Sequence, residues 1–366
     1  MALVKRADTL KEPCRFPYEW KLSETTFTKD KGKVFSCFAC GGGSTMGYKL
    51  AGFDVIGCNE IDPRMNKVYV ENHHPKYNFV EGIQTFKLRE DLPEELYNLD
   101  VLDGSPPCSA FSMSGQREKA WGKKKKFKEG QVAQVLDTLF FDFIDLAEKL
   151  QPKVVIAENV RGLLQGNAKN YVREIYNAFD KAGYYPQHFL LNGADMGLPQ
   201  TRRRAFFVCL RKDLSAPFMR MIDMFHSLPH ITMSFNCRKI PVKEICDYKG
   251  REIPKGVFYY WNYKTPSDRC IGNIAERISK KLTMFNNLLV HDSQICPTLA
   301  SKEDCLIHYE KPLYFSTPKV CKISSFPLDY NFLEERPHYI CGMSVPPIMM
   351  ANVATNVYEQ WLSKLK

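Results

Sequence analysis

Long apolar runs are missing from this 366-residue chain. None approaches the roughly 18 residues that a membrane-spanning helix needs, so no membrane association is expected. The opening stretch, MALVKRADTLKEPCRF, lacks the apolar centre of a signal peptide. Paired metal-ligand motifs are scarce. Cys37 and Cys40 form one CxxC, but no second CxxC or closely spaced Cys/His pair follows to complete a zinc site. We therefore expect no metal, and read that CxxC as incidental and His73-His74 as a solvated loop. The dinucleotide signature GxGxxG is also absent, because Cys40 stands where its first glycine would fall. Internal repeats are absent, and the lysine run 123–126 is the one low-complexity tract. The 13 cysteines are odd in number and scattered. Without a secretion signal, that usage argues for reduced thiols in the cytoplasm.

Positive charge and aromatic residues are abundant. The net charge is +10 and aromatics make up 13% of the chain. A basic, aromatic-rich chain suits a polyanionic partner, most simply nucleic acid. The length allows a large core and two domains.

Residues 1–32 are polar and irregular and read as an extension. Apolar segments at 34–38, 54–58, 99–103, 154–157, 184–191 and 205–210 read as strands. Helical spacing marks 131–150 and 168–182. Strands alternating with helices predict an α/β fold with a parallel, doubly wound sheet of Rossmann type. The alternation breaks at 212, where short irregular segments rich in aromatic and basic residues suggest a smaller domain. Helical periodicity returns at 342–362. The expected organisation is an extension (1–32), a catalytic domain (33–211), a recognition domain (212–320) and a C-terminal segment returning to the catalytic domain (321–366).

Glycine-rich residues 40–47 follow the first strand and lead into a helix. Such a turn lets a ligand approach backbone N–H groups at the helix start. Glu60 ends the next strand, where a carboxylate can accept from both ribose hydroxyls. The pair fits a nucleotide-type cofactor, either a dinucleotide or S-adenosylmethionine. The segment 104–112, GSPPCSAFS, then places Cys108 on a stiff turn after a strand. Cys108, Glu158 and the cluster Gln200-Thr201-Arg202-Arg203-Arg204 all fall at strand or loop edges, where open α/β sheets bind ligands. A thiolate, a carboxyl and guanidinium groups suit attack on an electron-poor heteroaromatic ring. The thiolate adds to the ring, the carboxyl meets a ring nitrogen, and an arginine fork holds a carbonyl oxygen.

These motifs, with FACGGG (38–43), PPCSAFS (106–112), ENV (158–160), QTRRR (200–204), ISSFPLDY (323–330) and GMSVP (342–346), resemble those of the cytosine-5 DNA methyltransferases of bacterial and phage modification type. The resemblance covers most of the chain in order and spacing. It implies a bacterial cytosolic enzyme acting as a monomer on double-stranded DNA, with S-adenosylmethionine as methyl donor and S-adenosylhomocysteine as product. It implies that the target cytosine is flipped from the duplex, that Cys108 adds to ring carbon 6, and that carbon 5 is methylated. Glu158 would contact ring nitrogen 3, and Arg204 and secondarily Arg202 would hold the base and orient the loop. Phe38, Ala39, Gly42, Gly43, Glu60, Ile61, Ile83, Pro107, Ser344 and Val345 would line the cofactor pocket. Ser109, Arg117, Lys123 and Lys124 on a moving catalytic loop, with Arg238 and Lys239 of the recognition domain, would contact DNA.

The chain departs from the family pattern in places. Ser36 replaces an acidic residue, Cys40 a glycine and Met343 an asparagine. Lys319 stands where a glutamate is common, and Glu81-Gly82-Ile83 lacks the usual aspartate. Two other readings stay open: a transfer-RNA cytosine-5 methyltransferase on the same fold, and a non-catalytic DNA-binding relative.

Overall fold

The computed structural model describes residues 13–107, 138–165, 168–222, 227–302 and 304–365. Its centre is a seven-stranded sheet. The first half runs β1 (Lys33–Cys37), α1 (Gly43–Leu50), β2 (Asp54–Asn59), α2 (Pro63–His73), β3 (Tyr77–Phe79) and the single turn α3 (Ile83–Phe86). The second half runs β4 (Val101–Gly104), α4 (Leu139–Leu150), β5 (Val154–Val160), α5 (Ala168–Lys181), β6 (Tyr184–Asn192) and β7 (Arg203–Arg211). The strand order is β3-β2-β1-β4-β5-β7-β6. From β3 to β5 the pairing is parallel. The expected all-parallel sheet stops there, because β7 lies antiparallel between β5 and β6. The physical reason is the connection: β6 and β7 are joined by a short loop rather than a crossover helix, and a short loop can only reverse the chain.

Both sheet faces are covered, so the strands read as unbroken apolar runs. Neighbouring strand residues split between faces. Phe35, Val155 and Phe207 enter the core with Phe143 and Phe179 of α4 and α5. Val34, Val154 and Phe206 enter the other with Tyr48 of α1 and Met350 and Val353 further on.

After β7 come the short pairs β8 (Met219–Met221) and β9 (Ser227–Pro229), α6 (Lys255–Trp261), α7 (Ile271–Ser279), and β10 (Leu288–Val290) paired with β11 (Leu306–His308). The chain closes with α8 (Thr317–Ser324), α9 (Pro337–Met343) and α10 (Pro347–Gln360). The periodic segment 342–362 is thus not one helix. Pro346 and Pro347 cannot continue a helix from upstream, and Ser344 takes an extended conformation. Helix α10 packs on α1 so closely that a Cβ on Gly47 would lie 2.5 Å from the Pro347 carbonyl oxygen.

A third core joins Met46, Met65 and Val68 to Val242, Val290, Leu306, Val320 and Ile340. The described part of the extension is stitched to it. Trp20 Nε1 donates to the Ser325 carbonyl at 2.9 Å, and Asp329 accepts from the backbone of Leu22 and Ser23. His73 is also not in a solvated loop. It ends α2, buried, with its ring under Gly42. The described cysteines are all free thiols. Among the described residues, no helix is long and apolar enough to cross a membrane.

Candidate active site

The chain leaves β1 to lay down β2 and β3 on one side, then returns to place β4 on the other. Ligands in open α/β sheets bind outside the strand ends at such a reversal. A cleft lies there. Phe38, Ala39, Cys40, Gly43 and Ser44 line it from the turn after β1, and Asn59, Glu60 and Ile61 from the end of β2. Ile83, Pro107, Ser344 and Val345 complete the expected set. Gly42 does not line the cleft. It sits at φ 74°, and a Cβ there would lie 2.1 Å from His73 Nε2, so its role is close packing.

The turn is held in an unusual shape. Phe38 and Cys40 take φ of 53° and 46°, left-handed values that cost a non-glycine residue energy. Glu60 holds the turn in place: its carboxylate accepts from Cys40 N at 2.7 Å and Asp62 N at 2.9 Å. Each oxygen keeps a lone pair for a ligand. Burial raises the Glu60 carboxyl above the usual range, opposed by those backbone donors. Cys40 is no candidate nucleophile, since burial and Glu60 push its thiol up to about 12. The buried hydroxyl of Ser344 faces the Cys40 thiol. Met65, Glu81, Gly82, Ser105, Leu139, Tyr339 and Met343 also line the cleft. Sequence reasoning flagged Met343 only as a departure, and Tyr339 carried no signal at all.

Glu158 and Arg204 meet across β5 and β7. Glu158 pairs in register with Phe206, and Val160 with Arg204, so the two side chains are diagonal neighbours on one face. Arg204 Nε lies 2.8 Å from Glu158 Oε1. Burial pushes the Glu158 carboxyl upward, and Arg204 and Arg202 pull it back without cancelling the rise. A carboxyl so placed can carry a proton. Beside it, Asn159 Nδ2 donates to the Pro106 carbonyl at 3.1 Å. The ENV strand end thereby anchors the proline turn that leads into Cys108.

Arg202 is positioned differently from the expectation. It is 1% exposed, and its guanidinium donates to the carbonyls of Leu299, Gly342 and Ser344. Those bonds fasten the C-terminal segment beside the cleft. Arg238 forms a two-pronged pair with Glu244, and Lys239 pairs with Asp195. Both side chains remain partly exposed at the surface in these pairs. Cys108, Ser109, Arg117, Lys123 and Lys124, with the rest of the expected catalytic loop, lie outside the described residues.

A cleft and a buried carboxyl–arginine pair thus lie at the strand ends of an α/β sheet. A profile for C-5 cytosine-specific DNA methylases matches residues 32–359. The chain belongs to that family. Type II methyltransferase M.FnuDI of Fusobacterium nucleatum is 30% identical over 291 residues, covering 78% of this chain and 76% of that protein. Type II methyltransferase M.NgoPII of Neisseria gonorrhoeae is 27% identical over 352 residues, covering 89% and 95%. A solved variant of DNMT2 from Spodoptera frugiperda shares the fold, with a TM-score of 0.60 at 17% identity over 89% of this chain and 99% of that one.

Proposed function

We propose that this chain methylates carbon 5 of cytosine at a defined site in duplex DNA, as a modification enzyme of restriction-modification type. The observation that carries the reading is the buried Glu158–Arg204 pair beside Asn159, which anchors the Pro106 carbonyl two residues before Cys108. The cleft residues fit S-adenosylmethionine: Glu60 keeps acceptor capacity, Ser344 lines the cleft with a hydroxyl, and Phe38, Ile61 and Val345 give apolar walls. Bound there, that group supplies an electrophilic methyl.

The chain's own residues do the rest. The Cys108 thiolate adds to carbon 6 of a cytosine flipped from the duplex. Glu158, holding a proton, donates to ring nitrogen 3 and balances the charge that develops there. Arg204 fixes the Glu158 carboxyl and approaches the ring carbonyl. Electron density gathers at carbon 5. Once carbon 5 is methylated, loss of its proton expels the thiolate. Arg202 acts through Gly342 and Ser344, holding the C-terminal wall of the cleft. Residues 33–211 and 321–366 form the catalytic part, and 212–320 read the DNA sequence. The enzyme is a cytoplasmic monomer that uses no metal.

Bisulfite sequencing of DNA from cells expressing the chain tests this. Methylcytosine in one fixed sequence context, lost with Cys108→Ser, is the expected result. Absence of methylcytosine from every fixed context refutes the reading.

A further inference from the structure

Lys319, one of the departures from the family pattern, is completely buried on α8. Its Nζ lies 3.0 Å from Cys246 Sγ, and 3.1 and 3.4 Å from the two ring nitrogens of His308. His308 Nδ1 is 3.8 Å from the same sulfur, and the Phe315 ring centroid is 4.3 Å from Nζ. Cys246, Asp292 and His308 bring one ligand atom each within 4.8 Å of one another. By residue type that trio suits a metal. Lys319 argues against one: its ammonium already occupies contact distance to two of the three donors, and a second cation beside it would be repelled.

What the packing does provide is a thiol and a primary amine held together, 73 residues apart in sequence. Cys246 is partly exposed while Lys319 is sealed. A small oxidant reaches the sulfur, and the amine has no exit from it. We propose that Cys246 and Lys319 are a site of oxidative modification, joined through a single oxygen atom as Sγ–O–Nζ. Their present separation accommodates one bridging atom with little movement of the backbone.

The oxidant is molecular oxygen. Lys319 reacts as the neutral amine, its extra proton released through the neighbouring His308 ring; the S–H bond and one N–H bond then break, and S–O and O–N bonds form around one oxygen atom. The other oxygen atom leaves as water with the two hydrogens. Sulfur and nitrogen each give up two electrons, the four that dioxygen takes. The bridge would tie the segment beside Val242–Glu244 to α8, whose Ile323 carbonyl accepts from Gln200 at 2.9 Å. Closing that long loop restricts the unfolded chain, so the bridged form unfolds at higher temperature.

The test is intact-mass and peptide mass spectrometry of the full chain, reduced with dithiothreitol and then exposed to air. The expected product is heavier by one oxygen less two hydrogens, maps to a peptide pair holding Cys246 and Lys319, and reverts with dithiothreitol. Cys246→Ser and Lys319→Arg should both abolish it. A species heavier by a whole oxygen is a sulfenic acid and overturns the proposal. So does a species lighter by two hydrogens, a direct S–N bond, and so does Cys246 found wholly as free thiol after oxidation. These readings come from the unsubstituted protein, so they hold even if a variant fails to fold.

Discussion

Replacing Asp103 with asparagine should make the protein more stable above neutral pH and flatten its pH dependence. Asp103 lies on β4, 1% exposed, five residues before Cys108. Its carboxylate accepts from Ser36 Oγ at 2.7 Å and from Tyr48 Oη at 3.3 Å, both neutral donors. Burial dominates over these bonds, and the carboxyl is pushed up to about 7 from 3.8. In the unfolded chain the group returns to its ordinary value. Between about pH 4 and 7 the folded protein therefore holds a proton that the unfolded chain has lost, and stability falls as pH rises through that window. About three pKa units at 1.36 kcal/mol each put the cost above pH 7 on the order of 4 kcal/mol. Asparagine has no proton to lose, and the two hydroxyls can turn to accept from its amide. Urea unfolding at pH 5 and pH 8 is the assay. The wild type should lose stability between the two, and Asp103→Asn should show its gain at pH 8 and much less at pH 5. Parallel pH profiles for the two proteins would refute the reasoning.

Three other outcomes are expected. Glu158→Gln should fold normally by circular dichroism, yet lower the methylation rate about 10²–10⁴-fold in a labelled-methyl assay, because the amide cannot give a proton to the ring. Arg202→Met should cost about 3–5 kcal/mol in urea unfolding, since the carbonyls of Leu299, Gly342 and Ser344 lose their buried donor. Gly43→Ala should cost about 1–3 kcal/mol and weaken S-adenosylmethionine binding in calorimetry, because the new Cβ would lie 2.2 Å from the Val345 carbonyl oxygen.

The relocated acid at Asp103 shows where sequence reading stopped. Ser36 looked like a plain loss of a carboxylate. The register of β1 on β4 sets Ser36 opposite Asp103, so an acid stands beside the same place from the neighbouring strand. Only strand pairing could reveal that. Lys319 is a second case: nothing near it in sequence announces Cys246 or His308. Arg238 and Lys239 are a third. Their charge was visible, but whether it met DNA or Glu244 and Asp195 depended on folding.

By itself the sequence determined most of the elements and the family motifs that line the cleft. Periodicity is local, so the strands ending at Cys37, Asn59, Gly104 and Val160 could be read within a residue or a few. Motifs such as ENV and the glycine turn are contiguous, so the cleft residues around Phe38 and Glu60 were legible as well. The tertiary structure alone decided what depends on distant pairing. It reversed β7 against β5, which brings Arg204 onto Glu158. It broke the final helix at Pro346 to place Ser344 and Val345 in the cleft. It bonded Arg202 to three carbonyls far along the chain. Side-chain partners far apart in the chain are chosen by packing and burial, which no local pattern records.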